Sequence, residues 1–382
     1  MNKLSIKFQQ AVIVDFMNLR CRLNKKIILV FITLYLLIGM NALSASPLDD
    51  DEEVIIFPVS ASVTPNGGWR IPLHHWVYEL EEDSLLSKLS RKVITESLEL
   101  AGLSDDDTHS TVFKQRIKWF LTDNKGWKKL SISLSKINPN DHIALNKTTF
   151  NGHAYTDIYL AVKKELRARS WIEINIDSKS KHKRQFKGEV QLIPANGLSV
   201  ISDIDDTIKV SEVLDKKKLL KNTFIAPYQV VKGMPELYQR LKKHGAYFHY
   251  VSASPWQLYP SLQPFMQSHY PKGTLMFRHF RLKDSSFIKF LGSSKNYKIE
   301  KISAIIKRYP KHQFILIGDS GEHDAEIYAT IYQQFSKNIQ AIWIRNVDGS
   351  NATQKSLKVV FKDIPEEKWN IFLLPKTLSF AY

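Results

Sequence analysis

The sequence predicts an α/β domain with a largely parallel sheet over residues 196–382, preceded by a β-rich, sandwich-like domain over residues 54–195. Three observations carry this. Before residue 195, short runs alternate apolar and polar residues with period two, the mark of half-buried strands. After Gly197, apolar runs of strand length alternate with stretches of helical spacing, which predicts a parallel sheet covered by helices on both faces. A composition of 43% hydrophobic and 24% charged residues in 382 excludes a disordered chain and leaves room for two domains.

Residues 1–45 read as an address. Lys25 and Lys26 precede the apolar run 27–40, and small residues follow at Ala42, Ser44 and Ala45. This is a secretory pattern, and the run is shorter than the roughly 20 residues that span a bilayer. The expectation is an exported protein, periplasmic or secreted. The leader is cleaved near Ala45, retained as an anchor, or shortened by a start at Met17. The only cysteine, Cys21, lies in it, so the mature chain would hold no disulfide or thiolate metal site. Six basic residues against Asp15 contribute +5 of the net +16, leaving +11. A positive surface of that size attracts anionic substrates as readily as polymers.

Residues 46–53 form an acidic linker around Asp49–Glu53. Strands are expected at Ile55–Val59, Trp69–Leu80, Leu130–Leu134, Ile158–Val162, Trp171–Ile176 and Gly188–Ile193, with helices at Leu85–Leu103 and Thr111–Leu121 as an insertion. His74 and His75, as neighbours in a strand, face opposite sides and make a poor metal pair. With His153 they are expected to be surface or satisfied polar groups, and the aromatic residues core. The basic run Lys179–Arg184 reads as a hairpin loop or a contact for an anionic lipid surface.

In the second domain, strands are expected at Leu198–Ser202, Ala246–Val251, Thr274–Phe277, Gln313–Ile317 and Ile339–Ile344. Helices are expected at Pro235–His244, Gln257–Ser268, Tyr297–Arg308 and His323–Phe335. In such a sheet the ligand site lies at the C-terminal ends of the strands. Four features fall there: Asp203, Asp205 and Thr207 after the first strand; Ser252 after the second; Lys298 at the start of a helix; and Gly318, Asp319 and Asp324 around a later strand end.

Alone, each has a plainer reading. An acidic triplet after a strand makes a capped turn, and Gly-Asp-Ser-Gly is a common turn. Their order and spacing point instead to phosphoryl transfer through a covalent intermediate, which needs a nucleophile, an acid/base, a hard cation and donors for the phosphoryl oxygens. Asp203 is expected as nucleophile and Asp205 as acid/base. Asp203, Asp319 and the Asp205 main-chain carbonyl are expected to hold Mg²⁺, supported by Asp324. Thr207, Ser252 and Lys298 are expected to grip the phosphoryl group.

These motifs resemble those of the haloacid-dehalogenase (HAD) superfamily of Asp-nucleophile phosphohydrolases. The strings Ile201–Val213, Val251–Tyr259, Phe280–Asp284 and Leu316–Asp324 are further similar to the catalytic domain of actin-patch-protein-type phosphatidate phosphatases. The resemblance covers about residues 197–345. It implies a HAD-like Rossmannoid fold and a Mg²⁺-dependent phosphatase that releases diacylglycerol and phosphate from phosphatidate. A soluble phosphoester and a non-catalytic role in binding anionic lipid are the alternatives. Lys289, Lys295 and Lys298 all lie near the third motif, and Lys298 is chosen because it precedes a helix. The stretch Arg278–Lys283 is expected to compensate phosphate charge or touch a headgroup, and Trp256 and Tyr259 to form an apolar lip. Peripheral contact with an anionic membrane is expected, and nucleic acid is not.

Overall fold

The computed structural model describes residues 46–80, 85–134, 138–161, 171–176, 184–279 and 295–378. The leader, residues 179–183 of the first basic run, the string 280–284 and Lys289 lie outside them. Residues Pro47–Tyr382 form one unit.

In its N-terminal part, β1 (Glu52–Ile56), β2 (Val59–Val63), β3 (Trp69–Glu79), β4 (Asp123–Asn124), β5 (Ser131–Leu134), β6 (Asn138–Ala144), β7 (His153–Leu160), β8 (Trp171–Ile176) and β9 (Lys187–Leu192) join one sheet. Its order is β1-β3-β2-β9-β8-β5-β6, with β4 and β7 also on β3. Ladders are antiparallel except β2 with β9. The alternation in Trp171–Ile176 buries every second residue, as the sequence predicts. The run expected as one strand at Ile55–Val59 divides at Phe57–Pro58, where Pro58 has no N–H to give and Phe57 N donates to His74 O (3.0 Å). Between β3 and β4 lie α1 (Leu85–Leu100), α2 (Asp105–His109) and α3 (Thr111–Ile117).

The rest is β10 (Asn196–Ser202), α4 (Lys216–Phe224), α5 (Met234–Lys243), β11 (Tyr247–Pro255), α6 (Tyr259–His269), β12 (Thr274–Arg278), α7 (Lys295–Arg308), β13 (Lys311–Asp319), α8 (Asp324–Phe335), β14 (Ile339–Arg345), α9 (Asn351–Val360) and β15 (Trp369–Phe372). The six strands are all parallel, in the order β12-β11-β10-β13-β14-β15. The order reverses at β10, so the crevice between its C-terminal end and that of β13 is the topological switch point. Helices α4 and α9 and strand β15 are additions to the sequence expectation. Adjacent residues of β10 point into different cores: Val200 packs with α5 and α6, and Ile201 with α7 and α8. Both faces are therefore covered, which explains a strand without polar alternation.

The first of these cores also takes in Phe57, Trp76 and Tyr78 of the β-rich part and Ile94, Leu98, Phe113 and Ile117 of α1 and α3. Trp256 and Tyr259 are not an exposed lip. Both are buried against Phe57, with ring centroids 4.2 and 5.0 Å away. Arg116 of α3 donates to the Thr223 and Ala226 carbonyls (2.9 and 2.8 Å), tying this helix to the end of α4.

The loop after β10 is pinned by Asp206. Its backbone adopts φ 51°, and its carboxylate accepts the N–H groups of Ser211 (2.9 Å), Glu212 (3.0 Å) and Val213 (2.7 Å). Its carbonyl accepts from Arg345 Nη1 (2.6 Å) at the end of β14. Asp206 thus folds the loop back on itself, which leaves the neighbouring Asp205 to face the crevice.

Two measurements check these packing arguments. Asp206→Ala removes the acceptor of three backbone donors, one buried and two half-buried, and should lower unfolding stability by about 2 to 3 kcal/mol, with Asp206→Asn milder, as read by urea denaturation. His249 of β11 is buried, with Nδ1 2.8 Å from Thr274 Oγ1, and burial holds its pKa down at about 3. The unfolded chain therefore binds a proton that the folded one refuses between pH 6.5 and 3. Stability is full above pH 6.5 and falls with acid, by about 3 kcal/mol at pH 4 from this residue. His249→Leu should flatten that acid limb.

Candidate active site

The carboxyl edge of the parallel sheet gathers the acidic residues that the sequence scatters over more than a hundred positions. Asp203 follows β10 and stays in the ladder, with its N–H on Ile317 O (2.9 Å). Asp319 ends β13, and Asp324 opens α8. All three are buried, and one oxygen of each lies within 4.8 Å of the others. Gly318 permits this approach: a Cβ there would stand 2.5 Å from Asp324 Oδ2.

Lys298 of α7 reaches into the cluster with 1% exposure. Its ammonium lies 2.7 Å from Asp203 Oδ1, 2.7 Å from Asp324 Oδ1 and 3.0 Å from Glu322 Oε2. An ammonium has three protons, so this arrangement occupies every donor. One cation thus faces Asp203, Asp319, Glu322 and Asp324. Burial pushes the Asp203 carboxyl well up; Lys298 opposes this, and the other carboxylates add to it. Burial and then Asp324 and Asp203 do the same to Asp319.

Asp319 Oδ1 accepts from Gly321 N (2.6 Å) and Glu322 N (3.2 Å), whereas Asp319 Oδ2 and Asp203 Oδ2 are buried without a hydrogen-bond partner. Two bare carboxylate oxygens in an all-oxygen donor set fit a hard divalent cation such as Mg²⁺. Thr207 Oγ1, also buried, has no hydrogen-bond partner.

Asp205 has different surroundings. Its carboxylate lies 2.8 Å from Lys209 Nζ and accepts from Ser211 Oγ (2.6 Å), Ser254 Oγ (3.0 Å) and Ser252 Oγ (3.4 Å). Burial alone would raise its pKa, but the Lys209 ammonium and these hydroxyls override that and hold it at about 2. In this state Asp205 is an ionised acceptor. Two carboxylates two residues apart are thus driven in opposite directions by their surroundings.

The seven residues picked from the sequence do not all make the same contacts. Asp203, Lys298, Asp319 and Asp324 form one cluster, Ser252 joins Asp205, and the Asp205 side chain lies with Lys209 rather than in the three-carboxylate group. Ser254, Glu322 and Lys209 are added by the structure. Lys209 stands four residues after Asp205 in a turn closed by the Asp206 N–H on Lys209 O (2.7 Å), and that spacing is its only sequence signal. Glu322 sits inside the Gly318–Asp324 motif without a distinguishing mark. Ser254 is two residues after Ser252, with its N–H on Ser252 Oγ (3.0 Å).

Residues 198–346 match the family model for the catalytic domain of phosphatidate phosphatase APP1. The chain is 34% identical over 256 residues to phosphatidate phosphatase APP1 of Saccharomyces cerevisiae, covering 64% of this chain and 41% of that protein. It is 33% identical over 175 residues to an uncharacterized protein of Schizosaccharomyces pombe, covering 44% of this chain and 28% of that one. The chain thus spans less than half the length of either relative. A 2,6-sialyltransferase structure from Photobacterium sp. aligns at 10% identity with a TM-score of 0.23, over 63% of this chain and 47% of that one, which supports no argument. Residues 198–346 are thus similar to the catalytic domain of phosphatidate phosphatase APP1, the kind of domain whose motifs the sequence resembles.

Proposed function

We propose that this protein is a Mg²⁺-dependent phosphomonoester hydrolase that works through an aspartyl-phosphate on Asp203, with a lipid phosphate such as phosphatidate as substrate. The observation that carries the reading is the cluster of buried carboxylates around Lys298, with Asp203 Oδ2 and Asp319 Oδ2 bare. Asp203, Asp319 and Asp324 would hold Mg²⁺, with the Asp205 main-chain carbonyl as a further ligand. When bound, the ion offsets the repulsion between carboxylates and phosphate.

The chain's own residues then divide the work. The Asp203 carboxylate attacks phosphorus, and the bond from phosphorus to the ester oxygen breaks. Asp205 gives the departing oxygen a proton, which leaves an alcohol, diacylglycerol in the case of phosphatidate. The ionised Asp205 next takes a proton from water as its oxygen attacks the phosphoryl group, releasing phosphate and restoring Asp203. The pKa of Asp205 near 2 suits this second half-reaction. The first half needs a proton on Asp205, and a phosphate dianion set against it favours that proton by like-charge repulsion. Thr207 and Ser252 are placed in the reading as phosphoryl donors, and Lys298 as the charge that opposes the proton which burial favours on Asp203. The lipid assignment draws on the yeast relative's name and on the basic balance of the chain. Among the described residues, no helix is long and apolar enough to cross a membrane. The reading includes peripheral contact with an anionic surface and export by the leader.

The test measures phosphate release by the full-length chain in detergent, from phosphatidate mixed micelles and from a small aryl phosphate, in Mg²⁺ and in EDTA. Release should require Mg²⁺, fall to background in Asp203→Asn, and drop roughly 100- to 10,000-fold in Asp205→Asn. Turnover that survives Asp203→Asn would overturn the mechanism. Turnover of the aryl ester without phosphatidate would overturn the lipid assignment alone.

A further inference from the structure

Outside the carboxylate cluster, three imidazoles converge where the β-rich sheet meets the edge of the parallel sheet. His74 on β3 and His153 on β7 are diagonal neighbours on one face, because His74 pairs with Tyr155 and Trp76 with His153. His279 directly follows β12, the edge strand of the second sheet. One ring nitrogen from each lies within 4.8 Å of the others. His74 Nε2 and His153 Nδ1 are 2.9 Å apart, and the His153 and His279 ring centroids 4.5 Å.

We propose that His74, His153 and His279 form a second metal site, which takes a borderline transition cation such as Zn²⁺ or Co²⁺ and clamps the β-rich sheet to the parallel one. The chemistry separates it from the acidic site. Imidazole nitrogen selects first-row transition ions, whereas an all-carboxylate set suits Mg²⁺. Two nitrogens 2.9 Å apart can share only one proton, so the buried His74–His153 pair is held together by a single hydrogen bond that a cation bridging the cluster would replace. Burial, reinforced by the neighbouring imidazoles, also favours the neutral rings that a metal requires.

The surroundings fit a ligating site. Tyr155 Oη lies 2.8 Å from His279 Nε2, so a hydroxyl orients this ring through one nitrogen, as partners of metal-bound histidines commonly do. Phe57 stacks on His74 with centroids 4.4 Å apart, and Trp76 lies parallel to His153 at 5.3 Å, which fixes both rings. A cavity of about 300 Å³ lined by Asn146, Asn151, His153, Tyr155 and His279 gives access from the exposed His279 side and room for water as a fourth ligand.

The test uses the full-length chain, stripped with EDTA and titrated with Co²⁺ while the visible absorption is recorded. One equivalent should bind with the band of a low-symmetry nitrogen–oxygen site and raise the melting temperature. His279→Ala, at the exposed position, should weaken that binding at least 10-fold and abolish the melting shift. Asp319→Asn should keep both. His279→Gln, which can still hydrogen-bond Tyr155, guards against a mere packing loss and should also bind weakly, with circular dichroism confirming that each variant is folded. No band at one equivalent, a band unchanged in either His279 variant, or a band lost in Asp319→Asn would overturn the proposal.

Discussion

One buried ammonium set against four carboxylates is the constraint on which the site depends. Lys298 can neutralise only part of the charge of Asp203, Asp319, Glu322 and Asp324, and burial makes the surplus more costly. Such a cluster is tolerable when protons or a further cation supply the missing charge. Removal of Lys298 would therefore change more than a contact to substrate, since it would leave Asp203, Asp319 and Glu322 more strongly disposed to hold a proton.

The sheet makes the crowding possible. Parallel strands carry their ends to one edge, and the order reversal at β10 opens a crevice between the residues that follow β10 and β13. Hydrogen bonds along the ladder fix the backbone of Asp203 and Asp319, and α7 and α8 bring Lys298 and Asp324 onto the same crevice. The loop after β10 completes the arrangement, with Asp206 binding three backbone N–H groups and Asp205 turned toward Lys209, Ser211 and Ser254. The adjacent acids Asp205 and Asp206 thus have separate work, one facing the site and the other shaping the loop.

The β-rich part is bound into this architecture rather than attached by a flexible tether. Phe57, Trp76 and Tyr78 share a core with helices and strands of the parallel-sheet region, and Trp256, four residues after Ser252, packs on Phe57. Strand β11, which supplies Ser252 and Ser254, therefore continues into a segment whose packing is set by the first sheet. The three-histidine cluster lies on the same seam. A disturbance of the N-terminal sheet has a direct physical route to the serines that flank Asp205.

Much of the fold was legible in the sequence because periodicity is a local property. The alternation in Trp171–Ile176, the continuous apolar run of β10 and the spacing of α8 each state which faces are buried. The acidic motifs were legible because their order follows the strand ends. The proline division between β1 and β2, the inward packing of Trp256 and the added elements α4, α9 and β15 depend on neighbours distant in sequence. Aromatic residues after a motif look alike whether they line a mouth or fill a core. By itself, then, the sequence determined the two kinds of sheet and the set of acids at one edge. Only the tertiary structure decided that Lys209 belongs to Asp205, that Lys298 spends its donors on three carboxylates, and that His74 meets His153 and His279. Side-chain contacts between separate strands follow from register and sheet packing, which no local spacing encodes.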